Sequence, residues 1–197
     1  MIGVFGGTFD PPHIGHLVLA DEARAELNLK KVLWVVTGKP PHKPDRPIIA
    51  AEHRLKMVEL AIQHDPAFEL SRLEVDRPGP HYAVDTMAQL DESQPTDQRA
   101  YVMGKDSLRD LPSWNSPGRF IELTDAIVVL NRPDIEVDLE LLNERLPGLA
   151  NKVHLIGVPL VDVASRDIRH RVASGKPYRY LVARSVAGYI AQNDLYL

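Results

Sequence analysis

His13 and His16 stand three residues apart with Gly15 between them, directly after the run Gly6-Gly7-Thr8-Phe9-Asp10-Pro11-Pro12. At the start of a helix, that spacing brings both imidazoles to one side, where they can donate to phosphate oxygens. Gly6 and Gly7 let backbone amides approach a ligand with no Cβ in the way. A helix beginning near Ile14 adds unpaired N–H groups and a positive dipole end. Residues 6–16 therefore read as a strand-to-helix phosphate site. The glycines alone fit a simple tight connection equally well, and a histidine pair fits a metal site or a surface feature. Zinc is disfavoured, because no third ligand at the usual spacing and no cysteine accompanies the pair. The dinucleotide fingerprint G-x-G-x-x-G and the P-loop G-x-x-x-x-G-K-[ST] are both absent, so a nucleotide would be held by other means.

The elements that must position this loop follow from hydrophobic period. Short apolar runs rich in β-branched residues occur at 2–5, 32–36, 68–75, 100–103, 126–130 and 153–156, and most are separated by stretches of helical period. Such alternation predicts an α/β fold with a mostly parallel sheet. Leu17, Ala20, Arg24 and Leu27 recur at helical steps after the loop, as do Ala51, Leu55, Val58 and Ile62 in the next gap. Val182, Val186, Tyr189 and Ile190 mark a further amphipathic helix, beginning after a turn at Lys176 and Pro177. The proline clusters at 40–47 and 78–80 read as ordered loops over the site rather than linkers, and one domain spanning 1–197 is expected.

Composition narrows the function. The 197 residues carry a formal net charge of −4, so no global positive field is available to hold DNA or RNA, and phosphate binding must be local. The absence of cysteine excludes disulfides, thiolate metal sites and a cysteine nucleophile, and fits a reducing compartment such as the cytoplasm. No basic leader precedes an apolar stretch, and no run approaches the length of a membrane span, so neither export nor membrane insertion is expected.

Residues 6–16 resemble the signature of the HxGH nucleotidyltransferases, whose members share a Rossmann-like α/β domain with helices on both faces of the sheet. Class I aminoacyl-tRNA synthetases also carry His-Ile-Gly-His, but this chain is short and acidic and lacks their lysine-rich loop. From end to end the chain resembles the nicotinate-nucleotide adenylyltransferases within that superfamily. The resemblance implies ATP contacts from Gly6, Gly7, Thr8, Phe9, His13, His16, Gly104, Asp106, Ser165, Arg166 and Arg169. It implies acceptor contacts from His42, Lys43, Tyr82, Ala83, Thr86, Asp106 and Trp114. The segment Pro40-Pro41-His42-Lys43 resembles the family's basic loop near the triphosphate, and His81–Thr86 its acceptor loop at a helix N-terminus. Trp114 is either a stacking face for the acceptor ring or a core residue, and Asp106 either orients the acceptor or caps the helix before Ser107. Three positions depart from the family pattern: Ala83 replaces the usual threonine, Ala164 a serine and Arg166 a threonine.

The implied reaction needs no protein nucleophile. The acceptor's phosphate oxygen attacks the α-phosphorus of ATP, and pyrophosphate leaves. His13, His16, Lys43 and Arg169 would neutralise the triphosphate as catalytic groups, with Mg²⁺ bridging its oxygens. Asp10, Asp85 and Asp106 are candidate carboxylates without an assigned role as base, because a phosphate monoester is already ionised near neutrality. The implied small-molecule partners are ATP and nicotinate mononucleotide, and the family often forms homo-oligomers. Nicotinamide mononucleotide or phosphopantetheine as acceptor, or a non-catalytic nucleotide-binding regulator, remain as alternative readings.

Overall fold

The computed structural model describes residues 1–39, 48–131, 135–157 and 161–197. Among them, six strands run in parallel: β1 (Ile2–Gly7), β2 (Val32–Val36), β3 (Phe68–Ser71), β4 (Arg99–Gly104), β5 (Ala126–Leu130) and β6 (Val153–Ile156). Their order across the sheet is β3-β2-β1-β4-β5-β6. The order reverses between β1 and β4, and the crevice beyond the carboxyl ends of those two strands is where an open α/β sheet takes its ligand.

Side chains alternate across the sheet with the two-residue strand period. Val4, Leu33, Val35, Tyr101, Met103, Ile127 and Val129 enter one core. Phe5, Trp34, Val36, Ala100, Val102 and Val128 enter the other. Because both faces are covered, the central strands are apolar almost throughout, as parallel strands must be. The second core is closed by α1 (Ile14–Glu26) and α2 (Ala51–Ile62), which contribute Leu19, Ala20, Ala23, Leu55 and Val58. The first is closed by α3 (Ala83–Ser93), α4 (Lys105–Asp110), α5 (Pro117–Glu122) and α6 (Leu139–Arg145), through Met87, Leu108, Phe120 and Leu142 among others. A third cluster joins Met57 of α2 to α7 (Ser165–Ala173) and α8 (Arg184–Gln192) through Ile168, Val172, Val186 and Ile190. No helix among the described residues is long and apolar enough to cross a membrane.

Two differences from the sequence reading have physical causes. The run 68–75 is a strand only to Ser71. Arg72 then pairs with Glu52 of α2 at 3.0 Å and with Asp76 at 3.1 Å, and the Asp76 amide donates to the Arg72 carbonyl, closing a turn. The Glu52 carboxyl is held below its ordinary range chiefly by that hydrogen bond from Arg72. The last helix begins at Arg184, later than the turn at Lys176 and Pro177 suggests, and the intervening loop sends the Leu181 carbonyl to accept from the Ile14 amide at the start of α1. The proline cluster 40–47 lies outside the described residues.

Candidate active site

At the end of β1 the chain turns sharply and buries Phe9, which sits at φ +47° and is only 2% exposed. A phenylalanine in the left-handed region costs on the order of 1–3 kcal/mol, so its surroundings must hold it there. They do: its ring packs against Phe5 at 5.4 Å, Trp34 at 5.2 Å and His16 at 5.1 Å. The ring lies beneath residue 7, where a Cβ would stand 2.8 Å from its Cζ, which is why glycine is required at that position. At residue 6 a Cβ would stand 2.5 Å from the Tyr101 hydroxyl. The two glycines thus let one aromatic ring fold under the loop and one phenol reach it.

His13 caps α1 and is 6% exposed. Its ring stacks on that of His16 with centroids 3.6 Å apart. The His13 amide donates to Nδ1 of His16 at 3.0 Å. An Nδ1 that accepts leaves the proton of a neutral imidazole on Nε2, so His16 is set as a donor through Nε2. Both histidines line a cleft of about 640 Å³ at the point where the strand order reverses, a size suited to small ligands.

Behind the cleft, Arg54 of α2 is 1% exposed and donates to four carbonyls: Thr8 (2.9 Å), Thr37 (2.6 Å), Gly38 (3.0 Å) and Ile49 (3.2 Å). One guanidinium thereby ties the loop after β1 to the loop after β2. Burial draws its pKa below the ordinary guanidinium range, and the negative charge of Asp10 opposes that shift. Arg169 donates through Nη1 to the Asp10 carbonyl and lies 3.6 Å from the Asp10 carboxylate, while the Tyr196 hydroxyl donates to that carboxylate at 2.9 Å. Ser165 donates to the Pro11 carbonyl at 2.9 Å. The C-terminal part of the chain therefore clamps the signature loop from behind.

The cleft is also lined by Tyr82, Ala83, Tyr101, Trp114, His81 and Glu74. Trp114 is partly buried, with its edge against Phe120 at 5.4 Å and Tyr101 at 6.1 Å. Its core contact and its place on the cleft wall coexist. His81 is held in one tautomer: Nδ1 accepts from the Lys39 amide at 2.8 Å and Nε2 donates to the Arg77 carbonyl at 3.0 Å. Asp106 lies in the first turn of α4, whose cap is Gly104, so it does not cap a helix starting at Ser107.

Of the residues singled out in the sequence, Gly6, Gly7, Thr8, Phe9, His13, His16, Tyr82, Ala83, Gly104, Asp106, Trp114, Ser165 and Arg166 line the cleft together. Arg166 stands at the rim, its side chain 80% exposed and 3.5 Å from Asp167. Arg169 and Thr86 are placed outside the lining: Arg169 behind the loop, and Thr86 buried with its hydroxyl donating to Glu74 at 2.6 Å. His42 and Lys43 lie outside the described residues. Sequence reasoning passed over Arg54, Glu74, Tyr101 and Tyr196. Arg54 hides among the polar positions of an amphipathic helix, and Tyr101 sits in an apolar strand run. Glu74 lies in a segment whose period suggests strand.

The cytidylyltransferase-like family model matches residues 4–171. A probable nicotinate-nucleotide adenylyltransferase of Thermomicrobium roseum is 47% identical over 195 residues, covering 99% of this chain and 91% of that one. Its counterpart in Roseiflexus sp. (strain RS-1) is 43% identical, covering 99% of this chain and 97% of its own. Among solved structures, Plasmodium falciparum nicotinic acid mononucleotide adenylyltransferase complexed with NaAD shares the fold, with a TM-score of 0.82 at 19% identity over 99% of this chain and 96% of that one.

Proposed function

We propose, for a chain that belongs to the cytidylyltransferase-like family and within it to the nicotinate-nucleotide adenylyltransferases, that the cleft beyond β1 and β4 is where ATP and nicotinate mononucleotide react. The enzyme transfers the adenylyl group of ATP to the acceptor's phosphate, giving nicotinate adenine dinucleotide and pyrophosphate. An oxygen of the acceptor phosphate attacks the α-phosphorus in line. The bond from the α-phosphorus to the bridging oxygen of the β-phosphate breaks, and that oxygen leaves with pyrophosphate. No proton need be removed from the attacking oxygen, because the phosphate is ionised already.

The observation that carries this reading is the stacked His13–His16 pair, with His16 Nδ1 occupied by the His13 amide. In this reading His16 donates through Nε2 to a triphosphate oxygen, and oriented donors count most where negative charge grows. The α1 N-terminus beside it adds its backbone amides. In this reading Thr8, Ser165 and the Gly6–Gly7 backbone flank the nucleotide, and Arg166 meets it at the rim. Arg169 acts from behind, by fixing the Asp10 carbonyl and with it the loop. Lys43 is assigned to the leaving pyrophosphate on the family resemblance. Tyr82 and Ala83 present the α3 N-terminus to the acceptor's carboxylate, and Trp114 faces its ring.

Mg²⁺ belongs to the nucleotide substrate in this reading. Phosphate oxygens are hard ligands of the kind that ion prefers. Action in the cytoplasm and assembly into a homo-oligomer are part of the same proposal. The test is pyrophosphate release from Mg-ATP with nicotinate mononucleotide, nicotinamide mononucleotide or phosphopantetheine supplied separately. Release with nicotinate mononucleotide is expected, and release with only another acceptor would overturn the acceptor assignment.

A further inference from the structure

Glu74 is 4% exposed and lines the cleft, as do His81, Tyr82, Ala83 and Tyr101. One of its oxygens, Oε1, accepts from the Thr86 hydroxyl at 2.6 Å. The other, Oε2, is buried without a hydrogen-bond partner. Arg77, three residues on, donates instead to the Thr86 hydroxyl at 3.0 Å, the Tyr82 carbonyl at 3.3 Å and Gln89 at 3.2 Å, and Arg72, two residues before, pairs with Glu52 and Asp76. Among the described residues no ion pair forms on Glu74. Its charge nevertheless reaches into the cleft: the Tyr101 phenol, which approaches Gly6, is pushed above its ordinary pKa first by burial and then by Glu74.

A buried carboxylate oxygen with no donor is costly, on the order of 1–3 kcal/mol or more for a charged group, and a folded protein retains one where something else compensates it. On the reading above, one ligand of the cleft is a pyridine mononucleotide. Its ring nitrogen is bonded to the ribose and carries a formal positive charge, while the ring has no N–H or O–H to offer.

We infer that Glu74 is a specificity residue that supplies the counter-charge for a cationic pyridinium ring, so that the site prefers oxidised pyridine mononucleotides over their neutral dihydropyridine forms. The inference rests on the acceptor assignment and adds to it. Thr86 fixes the carboxylate from one side, and the turn that ends β3 after Ser71 carries Glu74 to the cleft instead of continuing the strand. The acceptor's own carboxylate is received at the separate α3 N-terminus, so each end of the zwitterion meets the opposite sign. A pyridinium ring in a cleft lined by both Trp114 and Glu74 keeps an aromatic face and a nearby negative charge when it leaves water.

The experiment compares kcat/KM for nicotinate mononucleotide and its 1,4-dihydro form, in the wild type and in Glu74→Gln, by pyrophosphate release at saturating Mg-ATP. Glutamine keeps an acceptor for Thr86 and the side-chain volume, and removes the charge by replacing one oxygen with an amide NH2. The wild type should favour the oxidised ring, and Glu74→Gln should lower that preference by about 10- to 100-fold, the range for a close desolvated charge pair. Glu74→Asp, which keeps the charge, should retain most of the preference. An equal loss on both rings in Glu74→Gln would make Glu74 a ribose acceptor or a packing residue and overturn the inference. A wild type that uses both rings equally would overturn it without any variant. Wild-type turnover with phosphopantetheine but with neither pyridine nucleotide would overturn the acceptor assignment itself, which separates the two failures.

Discussion

Replacing Arg54 by methionine removes four charge-assisted hydrogen bonds while keeping most of the side chain's volume. The carbonyls of Thr8, Thr37, Gly38 and Ile49 each lose their guanidinium donor in a position that is 1% exposed. Hydrogen bonds to a charged group contribute about 1.5–3 kcal/mol each, but relief from burying the guanidinium offsets part of the sum. A net loss of about 3–5 kcal/mol is the expected scale for breaking such a buried network. For a chain of this length, that lowers Tm by about 6–20 °C. The loops carrying Thr8 and Thr37 both line the cleft, so their loosening also displaces its wall. An accompanying fall in kcat/KM for ATP of about 100-fold is expected from a displacement near 1 Å. Arg54→Lys, with a single ammonium in place of the planar fork, should fall between the two. Thermal unfolding followed by circular dichroism, with steady-state kinetics on the same preparations, measures both effects. Arg54→Met unfolding within about 2 °C of the wild type, less than the shift for 1 kcal/mol in a chain this size, would refute the idea that this guanidinium holds the two loops together.

His16→Ala should reduce kcat by about 10²- to 10⁴-fold with little change in Tm, measured by pyrophosphate release, and near-normal turnover would remove His16 from the reaction. Gly6→Ala places a methyl group 2.5 Å from the Tyr101 hydroxyl and should cost most of the activity. Adding Tyr101→Phe leaves the nearest ring carbon at 3.4 Å and should restore part of it, so a double variant no better than the single one would show that the clash is not the cause. Tyr101 and Tyr196 both have pKa values raised by burial, with further contributions from Glu74 and Asp10 respectively. Their folded values lie above the unfolded value of about 10, so stability is level with respect to them below that pH and falls as pH rises past it. A Tm series from pH 9 to 11 should show the decline, and Tyr196→Phe should flatten it; an identical slope in the variant would exclude Tyr196 as a contributor.

Much of the molecule was legible in the chain because it depends on neighbours in sequence. Apolar runs of strand length separated by helical period gave the parallel α/β sheet, since those periods decide which faces of an element can be buried. Residues 6–16 read as a candidate phosphate site because glycine, histidine spacing and a helix start act within a few positions of one another. The limits of β3 were not legible: Arg72, where the chain turns before Glu74, pairs with Glu52, 20 residues away. Arg54 and Tyr196 lie 46 and 186 residues from the loop groups they bind, Thr8 and Asp10, and no local pattern marks them. The sequence thus determined which elements form and where the loop of residues 6–16 lies between them. Tertiary structure decided which buried charges and hydroxyls hold that loop in place and which carboxylate lines the cleft, because a buried polar group is tolerated only where the whole fold brings it a partner.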